Sequence, residues 1–284
     1  MARFVDRLRE ISNSNRSLLC IGLDPDPARM PIDDIFEFNK AIVDATSDLV
    51  CAYKPNLAFF EAEGSTGIRA LEETVAHIRS VNPEIVLLAD GKRGDIGGTN
   101  SAYARALFKT WEFDAATVNC FAGGEALEPF FEYENRGIFV WCRSSNTGAA
   151  EFQDLRVESG ESDANGNDNR TLYETIAKRA SEWNGRGNVG LVVGATYPKE
   201  LKSVRTLCPR MPILVPAVGI QGGDLKEAIV AGADGSGRNL LISSSRSILY
   251  ASEDASTFAE EARGVAERMR DSINRTLDRE GWGW

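Results

Sequence analysis

Short apolar runs alternate with amphipathic segments along most of the chain. The runs are rich in β-branched residues and apolar at successive positions, which is typical of parallel strands covered on both faces. Between most of them, apolar residues recur three and four positions apart, the period of a helix packed on a sheet. The pattern predicts eight strands, over residues 18–23, 50–53, 85–89, 116–119, 137–141, 189–193, 213–218 and 240–243.

Eight strand–helix units favour a closed barrel over an open doubly wound sheet, and an additional helix is predicted near the N-terminus over residues 2–12. We therefore predict an α/β fold, a (β/α)8 TIM barrel. The chain has 284 residues, a length at which barrels form a single unit. Because no repeat, low-complexity tract or linker interrupts the pattern, we expect one domain over residues 1–284.

One segment departs from this alternation. Residues 157–169 carry one apolar residue larger than alanine and follow the fifth predicted strand. We expect a loop over residues 157–170 on the rim where barrels carry their active sites, which suits a mobile lid. A solvated surface insertion explains the same composition equally well.

The composition narrows the class of protein. Hydrophobic residues make up 43% and charged residues 26%, as in ordinary globular proteins, and the apolar runs are far shorter than the ~18 residues of a membrane helix. We therefore expect a soluble protein with no membrane partner. The net charge of −10 disfavours nucleic acid as a partner, and an anionic substrate would need a local cluster of Lys and Arg.

Several residue types exclude further classes. The first residues mix acidic and basic side chains without an apolar signal segment, so we expect a cytoplasmic protein. The five cysteines are odd in number and lack metal-ligand spacing, which indicates buried, reduced thiols. The single histidine, His77, lies in the middle of a predicted helix, which argues against Ser-His-Asp chemistry. No His and carboxylate cluster has the spacing of a transition-metal site.

Polar side chains follow the predicted strands at the ends where a barrel builds its active site. Asp24 follows the first strand, Lys54 the second, and Asp90 and Lys92 the third. Asp90 and Lys92 are two positions apart, so they point the same way, and their attraction keeps both charged. A structural ion pair explains these two alone, but Asp24 and Lys54 at neighbouring strand ends favour a catalytic network.

A second group of residues follows the last two predicted strands. A glycine-rich turn that contains Gln221 comes after the seventh strand, and Ser245 and Arg246 come after the eighth. Glycine backbones expose N–H groups, and an arginine can hold a phosphate dianion bidentately. Because many barrels bind phosphate at these two loops, the sequence predicts a phosphate site, although glycine also serves simply to end a strand.

In chain order these motifs resemble those of the orotidine 5′-phosphate decarboxylase family, most closely its longer prokaryotic subgroup. The resemblance spans residues 18–250 and rests on six segments: Leu-Cys-Ile-Gly-Leu-Asp-Pro, Tyr-Lys-Pro-Asn, Asp-Gly-Lys-Arg-Gly-Asp-Ile-Gly-Gly-Thr, Ser-Asn-Thr-Gly, Gly-Ile-Gln-Gly-Gly and the segment around Arg246. The Asp-x-Lys-x-x-Asp core alone is shared with related sugar-phosphate decarboxylases and synthases. The full set is much more specific.

The resemblance implies a reaction and the residues that carry it. The enzyme would decarboxylate orotidine 5′-monophosphate to uridine 5′-monophosphate in pyrimidine nucleotide synthesis, with no cofactor and no metal. Lys92 would donate the proton to C6 of the pyrimidine, with Asp90 near the departing carboxylate and Lys54 in the same charged network. Asp95 would take part in catalysis at the site of a neighbouring chain.

The resemblance also implies a homodimer and a set of substrate contacts. Each chain would extend three residues into its partner's site, namely Asp95, Ile96 and Thr99. The substrate-binding residues of the chain's own barrel would be Asp24 and Lys54 for the ribose, Ser145 for the pyrimidine amide, Pro216 for the pocket wall, and Gln221 and Arg246 for the phosphate. Between residues 148 and 171 no family motif matches, so contacts of the lid are not predicted.

Two other functions are compatible with the residues. The first is a magnesium-dependent sugar-phosphate decarboxylase or hexulose-phosphate synthase on the same barrel. Such an enzyme needs a metal-binding acid pair that typically includes a Glu where this chain has Lys54. The second is a catalytically silent barrel that binds a nucleotide or a partner protein, and the complete charged set of Asp24, Lys54, Asp90, Lys92 and Asp95 argues against lost chemistry.

Overall fold

A computed structural model of the chain describes residues 3–158, 169–216 and 225–284. Its strands, in chain order, are β1 Leu19–Leu23, β2 Ala52–Pro55, β3 Val86–Arg93, β4 Ala115–Val118, β5 Gly137–Arg143, β6 Arg156–Glu158, β7 Asn169–Thr171, β8 Val189–Val193, β9 Ile213–Val215 and β10 Leu240–Ser244. Eight of them close into a parallel barrel in the order β1-β10-β9-β8-β5-β4-β3-β2. The predicted (β/α)8 barrel is therefore confirmed, and a strand is found in each of the eight predicted places.

Helices separate the barrel strands and cover the outside of the sheet. They are α1 Phe4–Ser14, α2 Ile35–Thr46, α3 Leu57–Ala62, α4 Gly64–Val81, α5 Gly97–Arg105, α6 Gly124–Phe131, α7 Ala150–Gln153, α8 Leu172–Trp183, α9 Pro198–Leu207, α10 Leu225–Gly232, α11 Arg246–Leu249 and α12 Phe258–Arg279. A π-helical turn over Ala106–Thr110 follows α5, and short 3-10 turns lie at Thr147–Ala149 and Asn184–Arg186. The additional N-terminal helix is confirmed as α1.

Two strands are longer than their apolar runs. β3 continues past residue 89 to Arg93, because Arg93 pairs with Val118 of β4 after a register shift that follows Ala89. β5 continues to Arg143, which pairs with Val193 of β8 after a similar shift. These extensions carry polar residues that pairing with the neighbouring strand holds in place. They place Asp90, Lys92 and Arg143 at the carboxyl ends of the strands.

The sheet is buried on both faces, and α1 closes the amino-terminal end of the barrel. Every residue of β1, β2, β4, β8, β9 and β10 is buried, as expected where side chains fill the barrel on one face and meet helices on the other. The ring of Phe4 in α1 packs edge-to-face on Phe139 with 5.9 Å between centroids. A Cβ on Gly137 would lie 2.5 Å from that ring, so only glycine fits there.

A buried carboxylate organises the same end of the barrel. Asp114 precedes β4 and is 1% exposed. It accepts hydrogen bonds from Arg7 at 2.9 Å, Arg79 at 2.5 Å and Arg136 at 3.1 Å. The three arginines come from different parts of the chain, so this cluster ties the segments that close the bottom of the barrel.

The long polar segment after β5 has paired ends. β6 and β7 form a two-stranded antiparallel sheet, in which Glu158 is opposite Asn169. The Leu172 N–H donates to the Leu155 carbonyl at 2.8 Å, which closes the base of this hairpin. The outer residues of the predicted 157–170 loop are therefore strands, while residues 159–168 lie outside the described part of the chain. The mobility of this segment stays a prediction.

Two further expectations concern the cysteines and the membrane. Cys20, Cys51, Cys142 and Cys208 are buried free thiols, as predicted, and Cys120 is half-buried and also free. Among the helices of the described residues, none combines the length and the apolar character that crossing a membrane requires.

Candidate active site

A cavity of about 650 Å³ opens at the carboxyl ends of the barrel strands. Its walls come from β1, β2, β3, the loop after β5, the end of β9, β10 and α11, with α12 on the outer side. The predicted site residues that line it are Asp24, Lys54, Asp90, Ser145, Pro216, Ser245 and Arg246. The barrel thus brings side chains more than 200 positions apart in the sequence to one cavity.

Lys54 and Asp90 line the floor of this site, and Lys92 and Thr117 join them through hydrogen bonds to Asp90. Lys54 Nζ donates to Asp90 Oδ2 at 2.7 Å, and Lys92 Nζ donates to Asp90 Oδ1 at 2.7 Å. Thr117 of β4 also donates to Asp90 Oδ1, at 2.9 Å. Lys54 and Asp90 are buried, whereas the Lys92 side chain is 37% exposed. Lys92 is therefore the most exposed of the three charged side chains, although it is not itself among the residues that line the cavity.

The network sets the charge states of its buried members. Burial alone would lower the pKa of Lys54, but the negative charges of Asp90 and Asp24 outweigh burial and raise its pKa above the ordinary value. Burial alone would raise the pKa of Asp90, but the charges of Lys54 and Lys92 hold its pKa well below the usual range. At neutral pH the site therefore contains a buried carboxylate between ammonium groups.

The backbone directs Lys92 toward Asp90 at some conformational cost. Lys92 has φ +44°, in the left-handed region that disfavours residues with a side chain and costs of order 1–3 kcal/mol. Its N–H donates to Thr117 Oγ1 at 2.9 Å, which holds this conformation. A Cβ at the preceding Gly91 would lie 2.8 Å from Leu57 Cδ1, so glycine allows the close packing of the strand end on α3.

Asp24 offers an acceptor at the edge of the cavity. Its Oδ1 atom is buried and has no hydrogen-bond partner among the described residues. A buried carboxylate oxygen without a donor is costly unless a ligand supplies one, so this atom suits a hydroxyl group. The adjacent Gly22 leaves room for Ser245, since a Cβ at that position would collide with Ser245 Oγ.

Two of the residues predicted to bind phosphate lie at the cavity, and their role in phosphate binding stays a prediction. Ser245 follows β10 and Arg246 begins α11, and both side chains line the cavity. No carboxylate of the described residues pairs with Arg246, whose guanidinium is exposed. Gln221, the other residue predicted to bind phosphate, lies outside the described residues. Pro216 stands at the end of β9 and forms part of the wall.

Asp95, Ile96 and Thr99 do not line this cavity. All three are exposed, with Asp95 and Ile96 in the turn between β3 and α5 and Thr99 in the first turn of α5, and Ile96 is 72% exposed. The buried Asn100 fixes the turn, because its Oδ1 accepts from the Asp95 N–H at 3.0 Å and its Nδ2 donates to the Asp95 carbonyl at 2.7 Å. Asn100 thus fixes the segment in a conformation in which these three residues are exposed and do not line the cavity.

Sequence reasoning missed several residues of the site, among them Thr117, Asn56 and Tyr250. Thr117 is a buried hydroxyl in an otherwise apolar strand, and that contrast with its neighbours was the available signal. Asn56 lines the cavity and bridges to Asp90, and it follows Lys54 by two positions. Tyr250 also lines the cavity, but it carries no sequence signal because its partners Asp24 and Asp26 lie at the other end of the chain.

The sequence argued against a metal site and against a catalytic role for His77. Among the side chains of the described residues, no group of three or more His, Cys, Asp or Glu could hold a metal ion. His77 lies on α4 and contacts Asp44 of α2 at 2.6 Å, away from the cavity, as its position in the predicted helix indicated.

Comparisons with known proteins agree with this geometry. Residues 17–261 match the profile of a family described as orotidine 5′-phosphate decarboxylase / HUMPS. An orotidine 5′-phosphate decarboxylase of Thermomicrobium roseum is 51% identical over 280 residues, covering 96% of this chain and 95% of that protein.

Solved structures show the same fold. The OMP decarboxylase of Leishmania donovani is 36% identical with a TM-score of 0.82, covering 97% of this chain and 98% of that one. The UMP synthase of Leishmania donovani is 38% identical with a TM-score of 0.85. That alignment covers 97% of this chain but 56% of the synthase, so this chain spans little more than half of its length.

Proposed function

This chain belongs to the orotidine 5′-phosphate decarboxylase / HUMPS family, and from that membership we propose how its active site works. The protein is a carboxy-lyase that converts orotidine 5′-monophosphate to uridine 5′-monophosphate in pyrimidine synthesis. The observation that carries the mechanism is the Lys54–Asp90–Lys92 network at the cavity floor.

The chemical problem is a carbanion on a ring carbon. When the bond from C6 to the carboxyl carbon breaks, carbon dioxide leaves and the electron pair stays on C6, where delocalisation is poor. The Lys92 ammonium stabilises this developing charge and then donates its proton to C6, forming the new C–H bond. Lys92 regains a proton from solvent, to which its side chain is partly exposed.

Asp90 and Lys54 fix the position of the reacting ammonium. Asp90 holds Lys92 Nζ through a 2.7 Å hydrogen bond and places negative charge near the departing carboxylate. Lys54, buried on the other side, holds Asp90 through Oδ2 and keeps it ionised. Because these charges are ordered before substrate binds, little reorganisation is needed during the reaction.

The nucleotide is held by groups around this floor. Asp24 accepts from a ribose hydroxyl with its unpartnered Oδ1, Ser145 contacts the pyrimidine amide, and Pro216 forms the wall beside the ring. Arg246 holds the phosphate with Ser245, and the family resemblance adds Gln221, which lies outside the described residues, to the phosphate ligands. Binding energy from the distant phosphate orients the ring over Lys92.

The active unit is a homodimer in which each chain completes its partner's site with Asp95, Ile96 and Thr99. In support, Asn100 fixes the backbone of this exposed segment, and Ile96 is a large apolar residue with 72% exposure. Phe121, 95% exposed, stands on the adjacent loop, since the Asn119 N–H donates to the Arg93 carbonyl at 2.8 Å. Exposed apolar side chains on neighbouring loops are typical of an interface. The cytoplasmic location expected from the sequence stays a prediction.

The assay that tests the proposed function follows orotidine 5′-monophosphate by its ultraviolet absorbance. The purified enzyme, dialysed against a chelator, is expected to convert the substrate at the same rate with and without added magnesium. A requirement for the metal, or turnover of a hexulose phosphate in place of the nucleotide, would contradict the proposal and favour the related metal-dependent enzymes.

A further inference from the structure

The loop that carries Ser145 is built around a buried arginine. Arg143, at the end of β5, is 0% exposed and is the largest fully buried side chain of the described residues. Burial of a guanidinium is costly unless its donors are paired, so its contacts show what the fold uses it for. The proposed mechanism gives it no role.

Arg143 is anchored on one side by the short helix that precedes the hairpin. Its guanidinium donates to Gln153 Oε1 at 3.2 Å and to Asp154 Oδ2 at 3.3 Å. On another side it lies over the ring of Tyr197, 4.4 Å from the centroid, in the loop between β8 and α9. It therefore joins two loops of the active-site rim that are far apart in the sequence.

The same contacts fix the backbone beside Ser145. Gln153 Oε1, already bound to Arg143, accepts the Ser144 N–H at 2.8 Å, and Arg143 also donates to the Ser144 carbonyl at 3.1 Å. Both polar groups of the Ser144 main chain are thus held by one pair of side chains. A change in either side chain releases the residue next to Ser145.

A tight contact with β8 confines Ser145 from the opposite side. The Gly194 N–H donates to the Arg143 carbonyl at 2.9 Å, and a Cβ on Gly194 would lie 2.7 Å from Ser145 Cα. Ser145 is therefore held between Gly194 and the clamp formed by Arg143 and Gln153, with its side chain lining the cavity.

We propose that Arg143 is a positioning residue, which acts through Gln153 to hold Ser145 against the pyrimidine of the bound nucleotide. This inference rests on the proposed contact between Ser145 and the pyrimidine amide. A clamp on the base-binding residue affects ligands that carry the base and leaves phosphate binding unchanged, because Arg246 lies on a different strand end. That difference separates positioning from general structural support.

The experiment compares Arg143→Met, Gln153→Met and the matched control Glu151→Gln, an exposed position on the same short helix. Inhibition constants are measured for uridine 5′-monophosphate, which carries the base, and for ribose 5-phosphate, which lacks it. Both clamp variants are expected to raise the inhibition constant of uridine 5′-monophosphate about tenfold, as for loss of one or two net hydrogen bonds. Their inhibition constants for ribose 5-phosphate, and both constants of the control variant, are expected to stay within about twofold of wild type.

A double-mutant cycle with Ser145→Ala completes the test. If Arg143 acts through Ser145, Gln153→Met lowers kcat/KM in the wild-type background but has little further effect in Ser145→Ala. The positioning role would be overturned if the variants bound both inhibitors equally more weakly. It would also be overturned if Gln153→Met lowered kcat/KM as much in the Ser145→Ala background as in the wild-type background. Should Arg143→Met fail to fold, Gln153→Met decides alone. A Ser145→Ala enzyme with wild-type kinetics would instead overturn the proposed pyrimidine contact itself, and with it the inference.

Discussion

Asp90 is a buried carboxylate whose two oxygens face two lysines, and this pairing makes its burial tolerable. Lys54 binds Oδ2, while Lys92 and Thr117 bind Oδ1. Removing one partner from such a group leaves an uncompensated buried charge, which costs about 3–5 kcal/mol in other proteins. The network to which we assign catalysis is thus also expected to contribute to the stability of the barrel.

The stability contributed by Asp90 depends on pH in a definite direction. The pKa of Asp90 is lower in the folded chain than the value of about 3.9 expected after unfolding. Its contribution is therefore fully present above about pH 4 and is lost as the pH falls further. We expect Asp90→Asn to be less stable than wild type at pH 7 by about 3 kcal/mol, and by progressively less below pH 4.

Urea unfolding of both proteins at several pH values measures this difference. Asp33→Asn is a suitable control, because Asp33 is an exposed carboxylate outside the cavity. A stability difference between wild type and Asp90→Asn that stays constant from pH 7 to pH 3 would show that ionisation of Asp90 does not stabilise the fold.

Arg246 is expected to contribute binding energy through the phosphate group, far from the reacting carbon. We predict that Arg246→Ala lowers kcat/KM for orotidine 5′-monophosphate about 100-fold, as for loss of a bidentate phosphate contact. Added phosphite is expected to restore part of the wild-type enzyme's activity toward a truncated nucleoside, and to do so poorly in the variant. Arg210→Ala, exposed beyond the opposite end of β9, serves as the control. An unchanged kcat/KM would remove Arg246 from the site.

Among the elements, α11 and the loop after β1 are joined by one tyrosine. The Tyr250 hydroxyl donates to the Asp24 carbonyl at 2.7 Å and accepts the Asp26 N–H at 2.8 Å. Its ring stacks on Phe38 and carries the Arg29 guanidinium 4.1 Å above it. The helix that presents Arg246 therefore also holds the segment that presents Asp24.

Loss of this hydroxyl is expected to loosen the ribose-binding segment without changing the reacting groups. Tyr250→Phe keeps the ring, so we predict a KM raised about fivefold to tenfold, a kcat within twofold and unchanged thermal stability within a few degrees. Steady-state kinetics measure KM and kcat, and thermal melts measure the stability. Tyr133→Phe, near the opposite end of the barrel, is the control. A fall in kcat at constant KM would contradict this role.

The strands could be predicted because parallel barrel strands are buried on both faces and so read as continuous apolar runs. The extension of β3 could not be predicted, since residues 90–93 are mostly polar and are held by pairing across a register shift with β4. The hairpin of β6 and β7 could not be predicted for a similar reason. Its strands are three residues long and mostly polar, and their pairing depends on how the β5 loop returns to α8.

The site residues, like the strands, could be predicted only where a local sequence pattern marks them. Asp24, Lys54, Asp90 and Lys92 could be found because charged residues at the ends of apolar runs have no packing role. Their mutual distances and the φ of +44° at Lys92 depend on the closed barrel, which no local pattern encodes. The same holds for Tyr250, whose partners are over 200 residues away.

For the molecule as a whole, the chain's own cavity lacks Asp95, although the segment that carries it starts within three residues of Lys92. The two-fold partner that we propose would supply it, since an isologous interface lets each chain lend the segment to the other. The sequence predicted a site shared between two chains only through the family resemblance.

Mixing two inactive variants tests the shared site. In a heterodimer of Lys92→Ala and Asp95→Ala chains, one site carries both defects and the other carries neither. Random exchange makes half of the dimers mixed, so we predict recovery of about a quarter of wild-type activity. Subunit exchange is verified with tagged chains. No recovery after verified exchange would mean that Asp95 serves its own chain or that the enzyme does not share sites.

The central claim is that the Lys92 ammonium, held by Asp90, both stabilises the carbanion and protonates it. The most direct test is the single-turnover rate of orotidine 5′-monophosphate decarboxylation by Lys92→Ala, with uridine 5′-monophosphate affinity and circular dichroism measured on the same protein. We predict a rate lower by about a thousandfold or more, as for loss of a major electrostatic group, in a folded enzyme that still binds nucleotide. A folded Lys92→Ala enzyme that keeps a tenth or more of the wild-type rate would contradict the account.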